Sequence, residues 1–193
     1  MKLSIAAIAI ALSAIQFAAA TDPLAEGATS LEKRADCPVE DEETKYCREI
    51  REASMPFLKL NHRRIGTYYT TSPEDAKFNV DIWGFTRVGS VGRVITKCLD
   101  GTKPLWWLHK DYNVFTCDEE DARRLVRRRW EYGGVAGYVL KKRVCGSIPL
   151  YRRKIRRTGT YILCTDREEH EEAIKDGDED EGTVGFVLPS SKN

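Results

Sequence analysis

The sequence predicts a mainly β (α+β) fold of three β-β-α-β repeats, each about 40 residues long. The same four features follow one another three times along the chain. They are a proline with an apolar run, a second apolar segment, an acidic helix cap and a glycine-spaced β-branched run. The opening prolines, Pro56, Pro104 and Pro149, lie 48 and 45 residues apart, a period typical of repeat proteins. Six cysteines predict stabilisation by disulfides. Since one such unit cannot bury its apolar face alone, we expect a trefoil-like arrangement around a pseudo-threefold axis.

Each repeat is predicted to begin with a hairpin, because its two short apolar segments are aromatic or β-branched and flank a basic or glycine-containing turn. A helix should follow, since Ser72, Asp118 and Asp166 each stand three residues before an acid, as helix N-caps do. A glycine-spaced strand pair should end the repeat. The predicted helices, with one more before the first repeat, span 43–51, 73–81, 119–130 and 167–176.

Residues 1–20 resemble a secretory signal peptide, with Lys2, an apolar core and a small-residue cleavage zone. The pair Lys33-Arg34 ends a bland segment, 21–34, and predicts a pro-segment removed by a kexin-type protease. We therefore expect a secreted, extracellular monomer consisting of one domain, 35–193. Its predicted parts are an acidic N-terminal segment, 35–54, and the repeats 56–97, 104–142 and 149–189.

The six cysteines favour three disulfides in a secreted chain. Spacing favours Cys98–Cys117 and Cys145–Cys164, because both pairs are 19 residues apart, and this leaves Cys37–Cys47. Cys117 and Cys164 occupy adjacent positions of the repeat, so their side chains should face opposite sides of the strand. The set Cys98–Cys145 with Cys117–Cys164 therefore stays open. Metal-ligand spacings such as Cys-x-x-Cys are absent from the sequence, and we expect neither metal nor cofactor.

Charge is segregated along the chain although the formal net charge is only +1. Residues 123–157 hold thirteen Lys or Arg and one acid, whereas residues 166–181 hold ten acids and two bases. The two blocks could neutralise each other, or the basic one could bind nucleic acid, phospholipid or an acidic polysaccharide. Aromatic residues could stack on sugars or bases, although at strand spacing they more often form core. The candidate binding residues are Trp106, Trp107, Tyr138, Arg127, Arg128, Arg152 and Arg153.

Signs of catalysis are weak in the sequence. The three histidines, His62, His109 and His170, have no fixed spacing to acids or cysteines. A small secreted hydrolase or ribonuclease would require His62 or His109 to meet an acid and an arginine in one cleft. We therefore predict no catalytic residues.

The repeated pattern resembles an uncharacterised repeat domain of secreted bacterial and fungal proteins, over about 56–189. Relatives of that kind often carry the domain beside cell-wall-active enzymes, which implies an extracellular binding module for carbohydrate or a cell surface. The residues that carry the resemblance are Pro149-Leu150-Tyr151-Arg152, Thr165-Asp166-Arg167-Glu168, Glu181-Gly182-Thr183-Val184-Gly185-Phe186-Val187, Tyr68-Tyr69-Thr70-Thr71-Ser72-Pro73-Glu74 and Gly133-Gly134-Val135-Ala136-Gly137-Tyr138-Val139.

The expected function is that of a secreted, non-catalytic binding protein of a fungus. Its partner would be a cell-wall glycan or another extracellular surface component, which includes an effector-like role. The alternatives are binding of an anionic polymer or phospholipid through the basic block 123–157, and a small secreted hydrolase.

Overall fold

The computed structural model describes residues 43–190 of the chain. The predicted signal peptide, the pro-segment with Lys33-Arg34, and Cys37 lie outside the described residues. Within them, no helix is long and apolar enough to cross a membrane.

The described chain has a leading helix and then three units, each with the order strand, strand, helix, strand. The elements are α1 (Glu43–Glu52); β1 (Ser54–His62), β2 (Gly66–Thr70), α2 (Pro73–Trp83) and β3 (Thr86–Ile95) in the first unit; β4 (Thr102–His109), β5 (Asn113–Thr116), α3 (Glu119–Arg127) and β6 (Glu131–Leu140) in the second; and β7 (Ile148–Lys154), β8 (Tyr161–Cys164), α4 (Arg167–Lys175) and β9 (Glu179–Val187) in the third.

All strand pairs are antiparallel, and the prediction of a mainly β fold is confirmed. In each unit the first strand pairs with both the second and the last strand. The sequence predicted a pair of strands at the end of each unit, but the structure has one long strand there. The glycines within this strand coincide with shifts in its pairing register and do not interrupt it.

The last strands of the three units meet one another at one end. Ile95 of β3 pairs with Tyr138 of β6, and Leu140 of β6 pairs with Phe186 of β9. After β9, Leu188 returns to Arg93 of β3 through two reciprocal backbone hydrogen bonds of 2.8 and 3.1 Å. Each unit therefore touches both others through its last strand.

The central core takes equivalent residues from each unit. The residue that follows each repeated proline is fully buried. The residue three positions before each helix cap belongs to the same core cluster. Burial of each such side chain contributes about 1.5–3 kcal/mol. The equivalent core residues are Phe57, Leu105 and Leu150; Tyr69, Phe115 and Leu163; and Val94, Val139 and Val187.

Helix α1 covers the end where the last strands meet. Ile50 is fully buried there and packs with Ile95, Tyr138 and Leu188. This contact explains why a helix with a polar outer face forms before the first unit, since its apolar stripe has a partner.

The predicted helix caps are confirmed. Ser72 accepts the amide hydrogen of Asp75 at 2.9 Å, and Asp118 and Asp166 each accept two first-turn amides at 2.8–3.1 Å. The helix predicted at 119–130 ends earlier, at Arg127, because Arg129 adopts a left-handed backbone with φ 64°.

The predicted disulfide pairs are wrong. Cys47 of α1 is bonded to Cys145, which excludes the predicted Cys37–Cys47 and the alternative Cys98–Cys145, and Cys98 is also disulfide-bonded. Cys117 and Cys164 are free thiols, which excludes Cys98–Cys117, Cys145–Cys164 and Cys117–Cys164. The reason is that Cys98 and Cys145 lie in the linkers between units, where they pack against the α1 end cluster and not against the hairpin of their own unit.

Candidate ligand-binding cleft

Three equivalent junctions join neighbouring units, each between a helix and the first strand of another unit. The residue three after the repeated proline, Lys59, Trp107 or Arg152, lies at each junction. Trp107 faces α2, Arg152 faces α3 and Lys59 faces α4, which we name the first, second and third junctions. The same position of the repeat therefore carries a different group in each unit, which is an indole, a guanidinium or an ammonium group.

The first junction contains an open cleft of about 440 Å³ with a mainly aromatic wall. Two aromatic side chains of α2 border it and remain half exposed, Phe78 at 54% and Trp83 at 57%. Exposed aromatic rings that share one concave surface indicate a binding site more strongly than scattered ones. The lining residues are Ile65, Tyr68, Asp75, Phe78, Asn79, Trp83, Phe85, Trp107, His109, Lys110, Tyr112 and Asn113.

Trp107 is held on the inner wall of the cleft by three contacts. Its indole Nε1–H donates to Asn113 Oδ1 at 2.9 Å, and its ring packs edge-on against Tyr68 with centroids 5.5 Å apart. The ring lies directly over Gly133, where a β-carbon would come within 2.4 Å of it. Gly133 is therefore required for this close approach.

A carboxylate and two amides are among the polar groups of the cleft, which also include His109 and Lys110. Tyr68 donates its hydroxyl hydrogen to Asp75 Oδ2 at 2.8 Å, and Asn79 Nδ2–H donates to Asp75 Oδ1 at 3.0 Å. Burial, with the Asp75 carboxylate as a second cause, raises the pKa of Tyr68 far above its usual range. Tyr68 is thus a neutral hydroxyl at all physiological pH values, and Asp75 is a fixed acceptor beside the aromatic wall.

The second junction is filled by charge pairing. Arg152 Nη1 lies 2.9 Å from Asp121 Oδ2, and Arg152 Nη2 lies 2.8 Å from Glu181 Oε2. Burial alone would raise the pKa of Asp121, but Arg152 outweighs it, and the pKa lies below its usual value. This junction neutralises its own charges.

The structure separates the seven predicted binding residues. Trp106 is 4% exposed and lies in a core cluster with α3, and Tyr138 is 8% exposed and lies in the end cluster covered by α1. Arg127 and Arg128 are exposed at the end of α3. Of the seven, Trp107 alone borders the cleft.

The predicted basic block is partly neutralised by the acidic block of the third unit. Buried Arg153 pairs with Glu169 and Asp178 at 3.2 Å, and Lys154 pairs with Glu179 at 2.8 Å. These pairs favour the interpretation that the two blocks compensate each other, at least along β7.

The part of the cleft that the first unit contributes is not predicted from the sequence. The helix predicted at 73–81 includes Phe78 with no functional role, and Trp83 lies beyond its predicted end. An available signal was that α2 places two large aromatic residues where α3 and α4 carry none.

Fold and cleft together define the class: a mainly β domain of three similar units with one aromatic cleft between two of them. The chain belongs to the family described as a domain of unknown function, DUF5648, whose family model matches residues 60–188. The expectation of an uncharacterised domain is thereby confirmed. The comparisons with curated proteins and with solved structures give no match.

Proposed function

We propose that this is a secreted fungal protein that binds a cell-wall or cell-surface glycan in the cleft of the first junction, consistent with an effector-like role. The observation that carries the proposal is the open aromatic cleft with a carboxylate and two amides at its wall. A pyranose ring offers apolar C–H faces to aromatic rings and hydroxyl groups to such polar acceptors and donors.

The size and polarity of the cleft fit one or two sugar residues. Its volume of about 440 Å³ lies in the lower half of the usual range for small-ligand sites. Trp107 is fixed by Asn113 and Gly133, so little conformational entropy would be lost when a sugar stacks on it. A neutral sugar needs no countercharge, which agrees with the small number of charged groups on the cleft wall.

We also infer that the three units are related by a pseudo-threefold axis, in a trefoil-like arrangement. The equivalent residues in the central core and the mutual pairing of the last strands support this. In such an arrangement the three junctions would be related sites, of which only the first has an aromatic wall.

Binding of an anionic polymer through exposed arginines such as Arg127 and Arg128 remains the second candidate. It is weakened by the internal pairing of Arg152 and Arg153. Salt separates the two candidates, because affinity for a polyanion falls steeply with salt, whereas stacking on a neutral sugar changes little.

The test is retention of the purified protein on insoluble chitin, β-glucan and peptidoglycan at low and high salt. Trp83→Ala removes a cleft ring, and Ile82→Ala is the matched control, since Ile82 is the neighbouring residue of α2, is exposed to a similar extent and is not among the residues that line the cleft. We expect salt-resistant retention on one polymer and a loss of about 5- to 100-fold in affinity for Trp83→Ala only. Equal behaviour of the two variants, or retention abolished by salt, would contradict the proposal.

A further inference from the structure

In the third unit a cysteine contacts a histidine, and the same histidine contacts an aspartate. Cys164 Sγ lies 3.8 Å from His170 Nδ1, and His170 Nε2 lies 3.1 Å from Asp180 Oδ1. Cys164 and His170 are buried, and the imidazole stacks on Tyr151 with ring centroids 4.8 Å apart. A nucleophile, a base and a group that orients the base are thus connected in the order that acyl-transfer sites use.

The other two units show that packing does not require this pair. Two residues before the helix cap they carry Thr70 and Thr116, whose hydroxyls accept the amide hydrogen of the cap at 3.1 and 3.2 Å. Four residues after the cap they carry the buried alanines Ala76 and Ala122. A threonine–alanine pair therefore suffices for this junction of strand and helix, and only the third unit has a thiol beside an imidazole.

The free thiols also differ from each other. Cys117 is the other one, and it packs against the central core and makes no hydrogen bond to a histidine in the described structure. Cys164 borders a cavity of about 240 Å³ at the third junction, together with Lys59, Ser90 and Glu169. This cavity is large enough for a short acyl group and is separate from the aromatic cleft.

We propose that Cys164 is the nucleophile of an acyl-transfer site for small esters or thioesters, with His170 as general base and Asp180 as the positioning residue. The activity goes beyond glycan binding and does not depend on it. Within residues 43–190, no group of His, Cys, Asp and Glu side chains is placed to hold a metal ion, so a metal site does not account for this cluster.

The proposed reaction is a hydrolysis in two steps. As Cys164 Sγ attacks the carbonyl carbon, its proton passes to His170 Nδ1, and the collapsing intermediate expels the alcohol, which takes that proton. Water then attacks the thioester, gives one proton to His170 and releases the acid, and the proton returns to Sγ. One ester and one water give one acid and one alcohol.

The surroundings of Cys164 favour the neutral thiol at rest. Burial raises the pKa of the Cys164 thiol to about 11, although Arg153 opposes this shift. Arg153 Nη1 lies 3.9 Å from the sulfur and can stabilise the thiolate while the proton is on the imidazole. The thiol would therefore lose its proton during attack and not before it, which makes the adjacent base essential.

The experiment uses p-nitrophenyl acetate as the probe, with release of nitrophenolate followed over time and the acetylated cysteine located by peptide mass spectrometry. In the wild-type protein we expect a burst of one equivalent and an acetyl group on Cys164, with Cys117 unmodified. Acetylation of both thiols alike, or of neither, would overturn the proposal, and this result requires no variant.

Variants then test the roles, and two of them restore residues that the other units already carry. Cys164→Thr should abolish the burst, and His170→Ala should slow it by about 100-fold or more. Cys117→Ser is the matched control and should leave the burst unchanged. Asp180→Ala and Asp180→Asn should both slow acylation, since neither keeps a carboxylate beside the imidazole, whereas Asp180→Glu, which can still accept the imidazole N–H, should retain more of the rate. An unchanged rate in His170→Ala would show that Cys164 is merely a buried thiol.

Discussion

Arg152 offers a quantitative test of how the second junction is stabilised. Its side chain is 8% exposed and pairs with Asp121, itself 10% exposed, and with Glu181. Arg152→Met keeps the apolar stem and removes the guanidinium, which leaves a buried carboxylate whose remaining charged partner is Arg124 at the surface. Breaking one side of a buried ion pair costs about 3–5 kcal/mol.

For a domain of this size, that loss corresponds to a melting temperature lower by about 6–20 °C. Urea unfolding followed by tryptophan fluorescence measures the free energy, and calorimetry measures the melting temperature. Arg156→Met is the control, since Arg156 is 72% exposed and lies 3.8 Å from Glu179, so its loss should cost less than about 1 kcal/mol. Equal losses in the two variants would refute the assignment of Arg152 as a buried structural cation.

The same pair predicts a dependence on pH. The pKa of Asp121 is lower in the folded protein than its usual value, mainly because Arg152 outweighs the effect of burial. Its contribution to stability is therefore complete above about pH 4 and is lost as the pH falls through the folded pKa. We expect this part of the acid destabilisation to disappear in Arg152→Met. A parallel pH profile in wild type and variant would contradict this reasoning.

Two further changes test the close contacts and the disulfide. Gly92→Ala should cost about 2–4 kcal/mol, because its β-carbon would come within 2.7 Å of Val187 at a φ of 124°, whereas Gly84→Ala, with a φ of 73° and open space, should cost only about 1 kcal/mol. Equal costs in urea unfolding would show that the close approach is unimportant. Cys47→Ala should cost about 2–5 kcal/mol, because the bond to Cys145 spans 98 residues, and the double variant with Cys145→Ala should cost no more. A clearly larger loss in the double variant would mean that Cys145 stabilises the protein by other contacts.

Features encoded by neighbouring residues could be predicted from the sequence. Each cap, such as Ser72 with Asp75, is a contact across three residues, so the start of each helix followed directly from the pattern. The hairpin that opens each unit was equally local, because a short turn joins its two strands.

Contacts between units could not be predicted in the same way. The spacing of Cys98 and Cys117 favoured a bond within one repeat, but the linkers turn their cysteines towards α1. Trp107 was identified from its type, yet its cleft partner Trp83 belongs to another unit, and only the three-dimensional arrangement brings the two together. The contact of Cys164 with His170 is local, but a six-residue spacing of these two types is too unspecific to be noticed in a sequence.

The return of Leu188 to Arg93 leads to an expectation about the order of folding. The first unit completes its backbone pairing only after residue 188 has left the ribosome, because its partner lies beyond β9. Until then the last strands expose unpaired edges, and the entropy of closing a long loop is not yet repaid. Folding should therefore be all-or-none and should follow synthesis, in contrast to stacked repeat proteins, which can add their units one after another.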